Sequence, residues 1–332
     1  MHAFLLDMLE CPKCHGKLNW TITERDSDTI EEAEARCGNC ATIYPVREGI
    51  GIFLTADLPR NDLWEQVDSG LTRYLSEKLH LRQRLMDVPV ETLAPADQFF
   101  RAMALEGYGD YAEAKRIADL AGPHLYTTEY TECYHRQRDY IVEQVSRLEG
   151  PIYDLASGRC DLAIVLAQKL DRPIIASDFS LRVMRTSRKR LKFLNLYEHF
   201  SLLVYDARLT PFKDSVIGTM TTNLGLPNIG ESEVVLRELR RVVRGTLLAL
   251  SHFYPIDDDA NGKAIREFGL AAGLYRESAL ADFKAAGWQV ALANTCTGKA
   301  SPTPHSMVLE GMGIDGLPIE NTVLEWGVLV AQ

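Results

Sequence analysis

The sequence contains no apolar run approaching the roughly 18 residues a bilayer-crossing helix needs, so no membrane span is expected. Its first ten residues, MHAFLLDMLE, hold only a short apolar stretch. Asp7 interrupts it and no basic segment precedes it, so it does not read as a secretory leader. Positive charge is in deficit. Against 46 Asp and Glu stand 36 Lys and Arg, a formal charge of −10, so the chain has no general attraction for phosphate backbones and an RNA contact would need a local basic patch. Cysteines are few and odd in number, seven in all. With no leader, that count speaks against a disulfide framework and for a reducing, cytoplasmic setting where thiols serve metal binding. Internal repeats and low-complexity tracts are lacking. What is present is an ordinary globular composition, 46% hydrophobic and 25% charged over 332 residues. That length accommodates a domain of about 150–200 residues and a smaller module.

Four of the cysteines form two close pairs, Cys11 and Cys14 in CPKC and Cys37 and Cys40 in CGNC, with 22 residues between the pairs. Each C-x-x-C folds as a tight knuckle, and two knuckles place four thiolates around one Zn²⁺ at about 2.3 Å. A closed four-thiolate site has no open position, so the metal would be structural and would supply much of the folding energy of so small a module. The competing reading is a pair of redox motifs or thiols without a role. Between the pairs, Glu24, Asp26, Asp28, Glu31, Glu32 and Glu34 face a single Arg25, which reads as a solvated hairpin. Residues Met8 to Phe53, with CPKCHGKL and YPVREGIGIFL, resemble the small zinc-ribbon proteins that activate tRNA, rRNA and protein methyltransferases. The resemblance implies a ribbon that does no chemistry and stabilises a methyltransferase, here in the same chain. The expected organisation is a zinc ribbon over residues 1–55, a helical linker or cap over 56–150, and a catalytic domain over 151–332.

In the middle segment Leu63, Val67, Leu71, Leu75, Leu79 and Leu81 recur at near-helical spacing. A second helix is expected through Phe99, Met103 and Leu105, broken at Gly107 and Gly109. A third runs from Tyr111 to Leu120 and closes at Gly122-Pro123, and a fourth covers Tyr130 to Leu148. Such helices either cap a pocket or fill space between the ribbon and the last domain.

From residue 151, apolar strands alternate with helices, and polar residues fall at the strand ends. Ile152–Leu155 leads into DLASGRC, Pro173–Ala176 ends at Asp178, Leu202–Val204 ends at Asp206, and Ile217–Thr222 ends at Asn223. Later strands are expected over 246–251, 289–293 and 322–330. Alternation of this kind predicts a parallel sheet with helices on both faces and a ligand at the carboxyl ends of the strands. Gly158 lets backbone approach a ligand, Asp178 suits a ribose diol, and Asp206 beside the small Ala207 suits an exocyclic amine and a flat ring. The acidic residues recur at intervals of 24 and 28 residues.

This half resembles class I S-adenosylmethionine-dependent methyltransferases across about 180 residues, with DLASGRC at the position of their acidic residue and glycine loop. The resemblance implies a Rossmann-like seven-stranded α/β sheet. It also implies that Asp154, Ala156 and Gly158 line the methionine part of the cofactor, Asp178 the ribose, Asp206 and Ala207 the adenine, and that Asn223 meets cofactor and acceptor. Ala156 and Cys160 stand at the first and third glycine positions of the loop, and the cysteine is expected to add bulk near the cofactor. NAD binding is the runner-up for such a fold, weakened by the same loop.

Methyl transfer needs alignment and a dry site, and a base only if the acceptor must lose a proton. Asn223 is a candidate to position the acceptor and His252 a candidate base; a strand-end turn and a satisfied histidine are the bland alternatives. Tyr126 and Tyr130 are placed to close over the cofactor or simply to pack. The scattered Cys133, Cys160 and Cys296 read as small buried hydrophobes rather than as a methyl relay. The favoured function is methylation of a small molecule or a peptide-like metabolite. An rRNA or tRNA nucleobase methyltransferase is the alternative. Its support is the ribbon-plus-methyltransferase order, which resembles bacterial large-subunit rRNA guanine-N1 methyltransferases, and the basic run Arg182, Arg185, Arg188, Lys189, Arg190 and Lys192. A scaffold that keeps the fold without catalysis is the third reading. Oligomeric state is not legible in the sequence.

Overall fold

A computed structural model describes residues 1–55, 58 and 71–332. Leu63 and Val67 of the expected apolar stripe, and the boundary drawn after residue 55, lie outside or against the edge of the described residues.

The N-terminal module is an antiparallel ladder of β1 (Leu18–Asp26), β2 (Thr29–Cys37), β3 (Ile43–Arg47) and β4 (Ile50–Ile52). Along β2, Ala33, Ala35 and Cys37 turn inward while Glu34 and Arg36 alternate outward, the period-2 pattern of a half-buried strand, with Ile30 buried at its start. The acidic stretch is the β1–β2 hairpin, as expected, but it is not wholly solvated: Glu34 pairs with Arg47 at 3.0 Å and Glu31 with Arg188 at 3.2 Å.

Residues 71–77 are helical. They are followed by α1 (Leu79–Met86), α2 (Pro95–Tyr108), α3 (Tyr111–Ala121) and α4 (Thr128–Ser146). The leucine stripe does not run through as one helix. The chain breaks at Lys78 and restarts, which resets the phase, so Leu71, Leu75, Leu81 and Leu85 are buried while Leu79 is 61% exposed. Nor does Gly107 break the second helix. α2 continues to Tyr108 and stops at Gly109, whose φ of 88° is the left-handed cap that glycine supplies without strain. These helices pack on the loop before the last strand: Leu75, Leu85 and Phe100 meet Val308 and Leu309, and buried Asp97 accepts hydrogen bonds from Ser306 and from the backbone of Met307 and Val308.

The remainder is a wound α/β sheet of β5 (Ile152–Leu155), α5 (Asp161–Lys169), β6 (Ile174–Asp178), α6 (Leu181–Phe193), β7 (Phe200–Val204), β8 (Ile217–Asn223), α7 (Ser232–Val242), β9 (Val243–Phe253), α8 (Asp259–Glu267), α9 (Ala271–Leu274), α10 (Arg276–Ala285), β10 (Val290–Ala300) and β11 (Thr322–Ala331). Its strands lie in the order β7-β6-β5-β8-β9-β11-β10; β11 alone runs antiparallel to both neighbours. α4, α5 and α6 cover one face, and α7 and α10 the other. α8 and α9 were not expected from the sequence, and β10 runs to Ala300, well past the expected 293, after a register shift between Ala293 and Cys296.

The expected seven-stranded α/β sheet is present, and the N-terminal ladder extends it. β4 pairs in parallel with β7, with Ile50 opposite Leu202 and Ile52 opposite Val204, so ribbon and wound sheet form one sheet of eleven strands. The seven-stranded core is there, but its β7 edge is used to join the ribbon. Arg188 on α6 reinforces the joint through Glu31 and Glu48.

Candidate functional site

The strand order reverses between β5 and β8, and the sequence-predicted residues gather there. Asp154 is at the end of β5, 1% exposed. One carboxylate oxygen accepts a hydrogen bond at 2.7 Å from Thr221 Oγ1, directly opposite on β8; the other, Oδ2, is buried and meets no donor. Burial pushes its pKa up to about 6 against the opposing effect of that threonine. Beside it Asn223 donates to the Tyr134 hydroxyl at 3.1 Å, while its Oδ1 is buried without a partner. Tyr134 comes from α4, which therefore lies across the strand ends.

The turn after β5 is clamped from below. Ser157 Oγ donates to Asp154 O at 2.7 Å and Ser157 N donates to Ser177 O at 2.8 Å, tying the turn to β6. Ala156 and Gly158 both adopt positive φ, 49° and 50°. Gly158 N donates to Asp178 Oδ2 at 3.0 Å and Ser180 N to Asp178 Oδ1, so Asp178 orders both the glycine turn and the start of α6. Cys160, expected to add bulk near the cofactor, has its side chain fully buried in the core, and its left-handed φ of 62° precedes α5. Ala156 is accommodated from the other side by Gly225, where a Cβ would come within 2.7 Å of Ala156 Cβ and 2.8 Å of Thr222 Oγ1.

Asp206 and Ala207 follow β7, both nearly buried. The Asp206 carboxylate is gripped in a fork by Arg208, Nε at 2.9 Å and Nη2 at 2.7 Å, and Arg208 also bonds Glu231. A ligand amine would share that carboxylate with Arg208, a partner that sequence spacing alone did not suggest.

His252 lies two strands from β5 on the α4 side. It sits across from Trp326 of β11, with ring centroids 5.0 Å apart, and 6.4 Å from Tyr130. Tyr130 meets Trp326 edge-on at 4.8 Å and stacks on Tyr126 at 4.8 Å, while Tyr134 is 6.4 Å from Trp326. His252 Nδ1 and Trp326 Nε1 are both buried without partners. Burial lowers the His252 pKa to about 4 and raises the Tyr126 and Tyr130 hydroxyls. At neutral pH the histidine is therefore uncharged and the phenols protonated. Asn223, Tyr134, Trp326, His252 and Tyr130 form one connected wall. Tyr134 and Trp326 were not expected; nothing local in the sequence marks them, because their neighbours come from other strands.

In the N-terminal ladder Cys11, Cys14, Cys37 and Cys40 place their sulfurs within 4.8 Å of one another. Cys11 and Cys40 are 3.6 Å apart and Cys14 and Cys37 3.5 Å. Sulfurs about 2.3 Å from a central tetrahedral ion lie about 3.8 Å apart, so the cluster fits a metal. The amides of Asn39 and Cys40 point at Cys37 Sγ, and the Tyr44 hydroxyl lies 3.3 Å from Cys11 Sγ.

Residues 132–255 match the model of the ubiE/COQ5 methyltransferase family. Residues 2–49 match that of Trm112p-like proteins. Among curated proteins, the chain is 30% identical over 112 residues to the ubiquinone/menaquinone biosynthesis C-methyltransferase UbiE of Rickettsia prowazekii (strain Madrid E), covering 32% of this chain and 45% of that one. The UbiE of Rickettsia bellii (strain OSU 85-389) gives the same figures. The chain thus spans less than half the length of these relatives. Among solved structures, the YcgJ protein of Bacillus subtilis aligns with a TM-score of 0.47 at 12% identity, over 59% of this chain and 97% of that one. A SAM-dependent methyltransferase of Aquifex aeolicus aligns at 0.37 and 13%, over 57% and 88%. The ubiE/COQ5 segment runs from α4 through β9 and so spans Tyr134, Asp154, Asp178, Asp206, Asn223 and His252. No helix among the described residues is long and apolar enough to cross a membrane.

Proposed function

We propose that this chain is an S-adenosylmethionine-dependent methyltransferase acting on a small molecule, with a structural zinc ribbon built into its own sheet. The observation that carries the reading is the pair of buried, unpartnered acceptors at the strand-order reversal, Asp154 Oδ2 and Asn223 Oδ1. Leaving such atoms without a donor costs about 1–3 kcal/mol each, a cost that an ammonium-bearing ligand removes. The cofactor supplies an electrophilic methyl group when bound. Asp154 and the Ala156–Gly158 turn would hold its amino-acid end, Asp178 its ribose, and Asp206 with Ala207 its adenine. Tyr134 and Tyr130 of α4 would keep water from the strand ends, and Asn223 would orient the acceptor. His252, uncharged and set in an aromatic wall, would position a flat apolar acceptor and take a proton only from an acidic one.

Two observations favour a small acceptor over RNA. Of the basic helix, Arg188 is tied to Glu31 and Glu48 and Arg190 to Asp161 and Arg159 O, so two of its six cations are spent within the chain. The Rickettsia relatives are named for C-methylation in ubiquinone and menaquinone biosynthesis. The four-cysteine cluster supports zinc, with no catalytic part, and a reducing compartment such as the cytoplasm would suit the free thiols. Isothermal titration with S-adenosylhomocysteine tests the reading. One site is expected, weakened in Asp178→Ala by about 1–3 kcal/mol. A folded chain that binds none at millimolar concentration would be a scaffold without catalysis. Labelled methyl donor with fractionated extract then places the label in small molecules, or, against the proposal, in RNA.

A further inference from the structure

The basic helix holds a second feature that the methyl-transfer reading does not use. A cavity of about 250 Å³ lies between α6, the end of α2, Tyr111 at the start of α3, and Arg159 of the glycine turn. Arg182, Arg185 and Lys189 line it from α6. At positions i, i+3 and i+7 they share one helix face. None of the three has a hydrogen-bond or ion-pair partner among the described residues, whereas Arg188 and Arg190, on other faces, both do. The one acid in the lining, Glu106, is committed to Arg159 at 2.7 Å. Among the described residues the cavity therefore carries three unpaired positive charges, in a chain whose formal charge is −10. Leu71, Met103 and Val183 give it an apolar wall beside Thr72, Tyr111 and Thr186.

We propose that this cavity binds a small organic molecule through a diphosphate or similarly elongated phosphate group. The three cations spread over about 10 Å of helix, seven residues at about 1.5 Å each, too far for one carboxylate but within reach of a chain of phosphoryl oxygens. Arginine forks suit those oxygens, and the apolar wall takes the organic part. The volume is that of a small ligand. Arg159 is the residue after Gly158, and Ser187 Oγ on α6 donates to Gly158 O at 3.1 Å, so an occupant would lie against the turn assigned to the cofactor. The proposal does not depend on methyl transfer, since the two sites have separate ligands.

Inorganic pyrophosphate is the probe. Titration into the full chain should give saturable binding, weakened at least about tenfold in the double variant Arg185→Gln/Lys189→Gln, with S-adenosylhomocysteine binding unchanged. No binding up to about 10 mM pyrophosphate, or equal binding by the variant, overturns the site. A single-stranded RNA that binds more tightly than pyrophosphate, with steep salt dependence and loss in the same variant, overturns it in favour of a nucleic-acid face. Should the variant fail to fold, the wild-type chain still decides. Pyrophosphate should protect Lys189 from acetylation relative to the exposed Lys263, and equal labelling of both with and without it refutes the proposal.

Discussion

Gly225 offers the sharpest test of how the glycine turn is held. Its φ of −81° is one any residue adopts, so backbone strain is not the reason for glycine there. Space is the reason: a Cβ would sit 2.7 Å from Ala156 Cβ, 2.8 Å from Thr222 Oγ1 and 3.3 Å from Ala156 O. Gly225→Ala should therefore cost about 1–3 kcal/mol, the range for an extra methyl in a packed site. Ala156 is itself at φ 49°. Ala156→Gly alone relieves about 1–2 kcal/mol of left-handed strain and gives back about 0.4–1 kcal/mol in unfolded-chain entropy, for a small net effect. In the Ala156→Gly background the closest clash disappears and Thr222 can turn its hydroxyl, so Gly225→Ala should cost about 1 kcal/mol less, a coupling within the usual range for touching residues. Urea midpoints at constant slope measure the cycle. S-adenosylhomocysteine titration should show the single Gly225→Ala variant weakened and the double variant partly restored. A cost for Gly225→Ala that is below about 0.5 kcal/mol, or identical in both backgrounds, would refute the contact.

Three further outcomes are expected. Asp154 is protonated more readily in the folded chain than its ordinary value of 3.8, with a folded pKa of about 6. Its contribution of up to about 3 kcal/mol is thus complete below pH 3.8 and lost as pH rises through 6; Asp154→Asn should flatten that part of the stability profile, while wild-type affinity for S-adenosylhomocysteine should tighten from pH 5 to 7 as the carboxylate ionises. Purified protein should hold one zinc per chain by metal analysis, and Cys37→Ser should lose it and lower the melting temperature of the whole sheet, because β4 is tied to β7. With a pKa near 4, His252 should impose no inflection on the rate between pH 5 and 8; an inflection near 6.5 that vanishes in His252→Gln would contradict its burial.

The strand ends were legible because short, largely apolar runs give way to single polar residues, and Asp154, Asp178, Asp206 and Asn223 all fall at or just after the ends of strands. The cysteine pairs were legible from spacing. Contacts across the sheet were not. Nothing near Thr221 in the chain points to Asp154, since they meet only through strand register. Nothing near Tyr134 or Trp326 says that they face Asn223 and His252. The fork of Arg208 on Asp206 is two residues away, yet side-chain direction after a strand is set by tertiary packing. The apolar spacing around Lys78 looked continuous because periodicity does not register a break that resets helical phase. The joining of β4 to β7 is a pairing of residues about 150 apart in sequence, and no local signal carries it.

That joint has a consequence for solubility. Phe200–Val204 is entirely apolar but for Ser201, buried on both faces, and without β4 would be an open edge, a template for pairing with other chains. The ribbon caps it in cis and moves the free edge outward to β1, a strand that is exposed along most of its length and carries Glu24, Arg25 and Asp26 at its tip. A sticky edge is exchanged for a charged one that resists edge-to-edge association. A chain cut to begin near residue 71 would thus lose more than a metal site. It would expose FSLLV and should self-associate in proportion to its concentration, and added soluble ribbon would suppress that association by occupying the same edge.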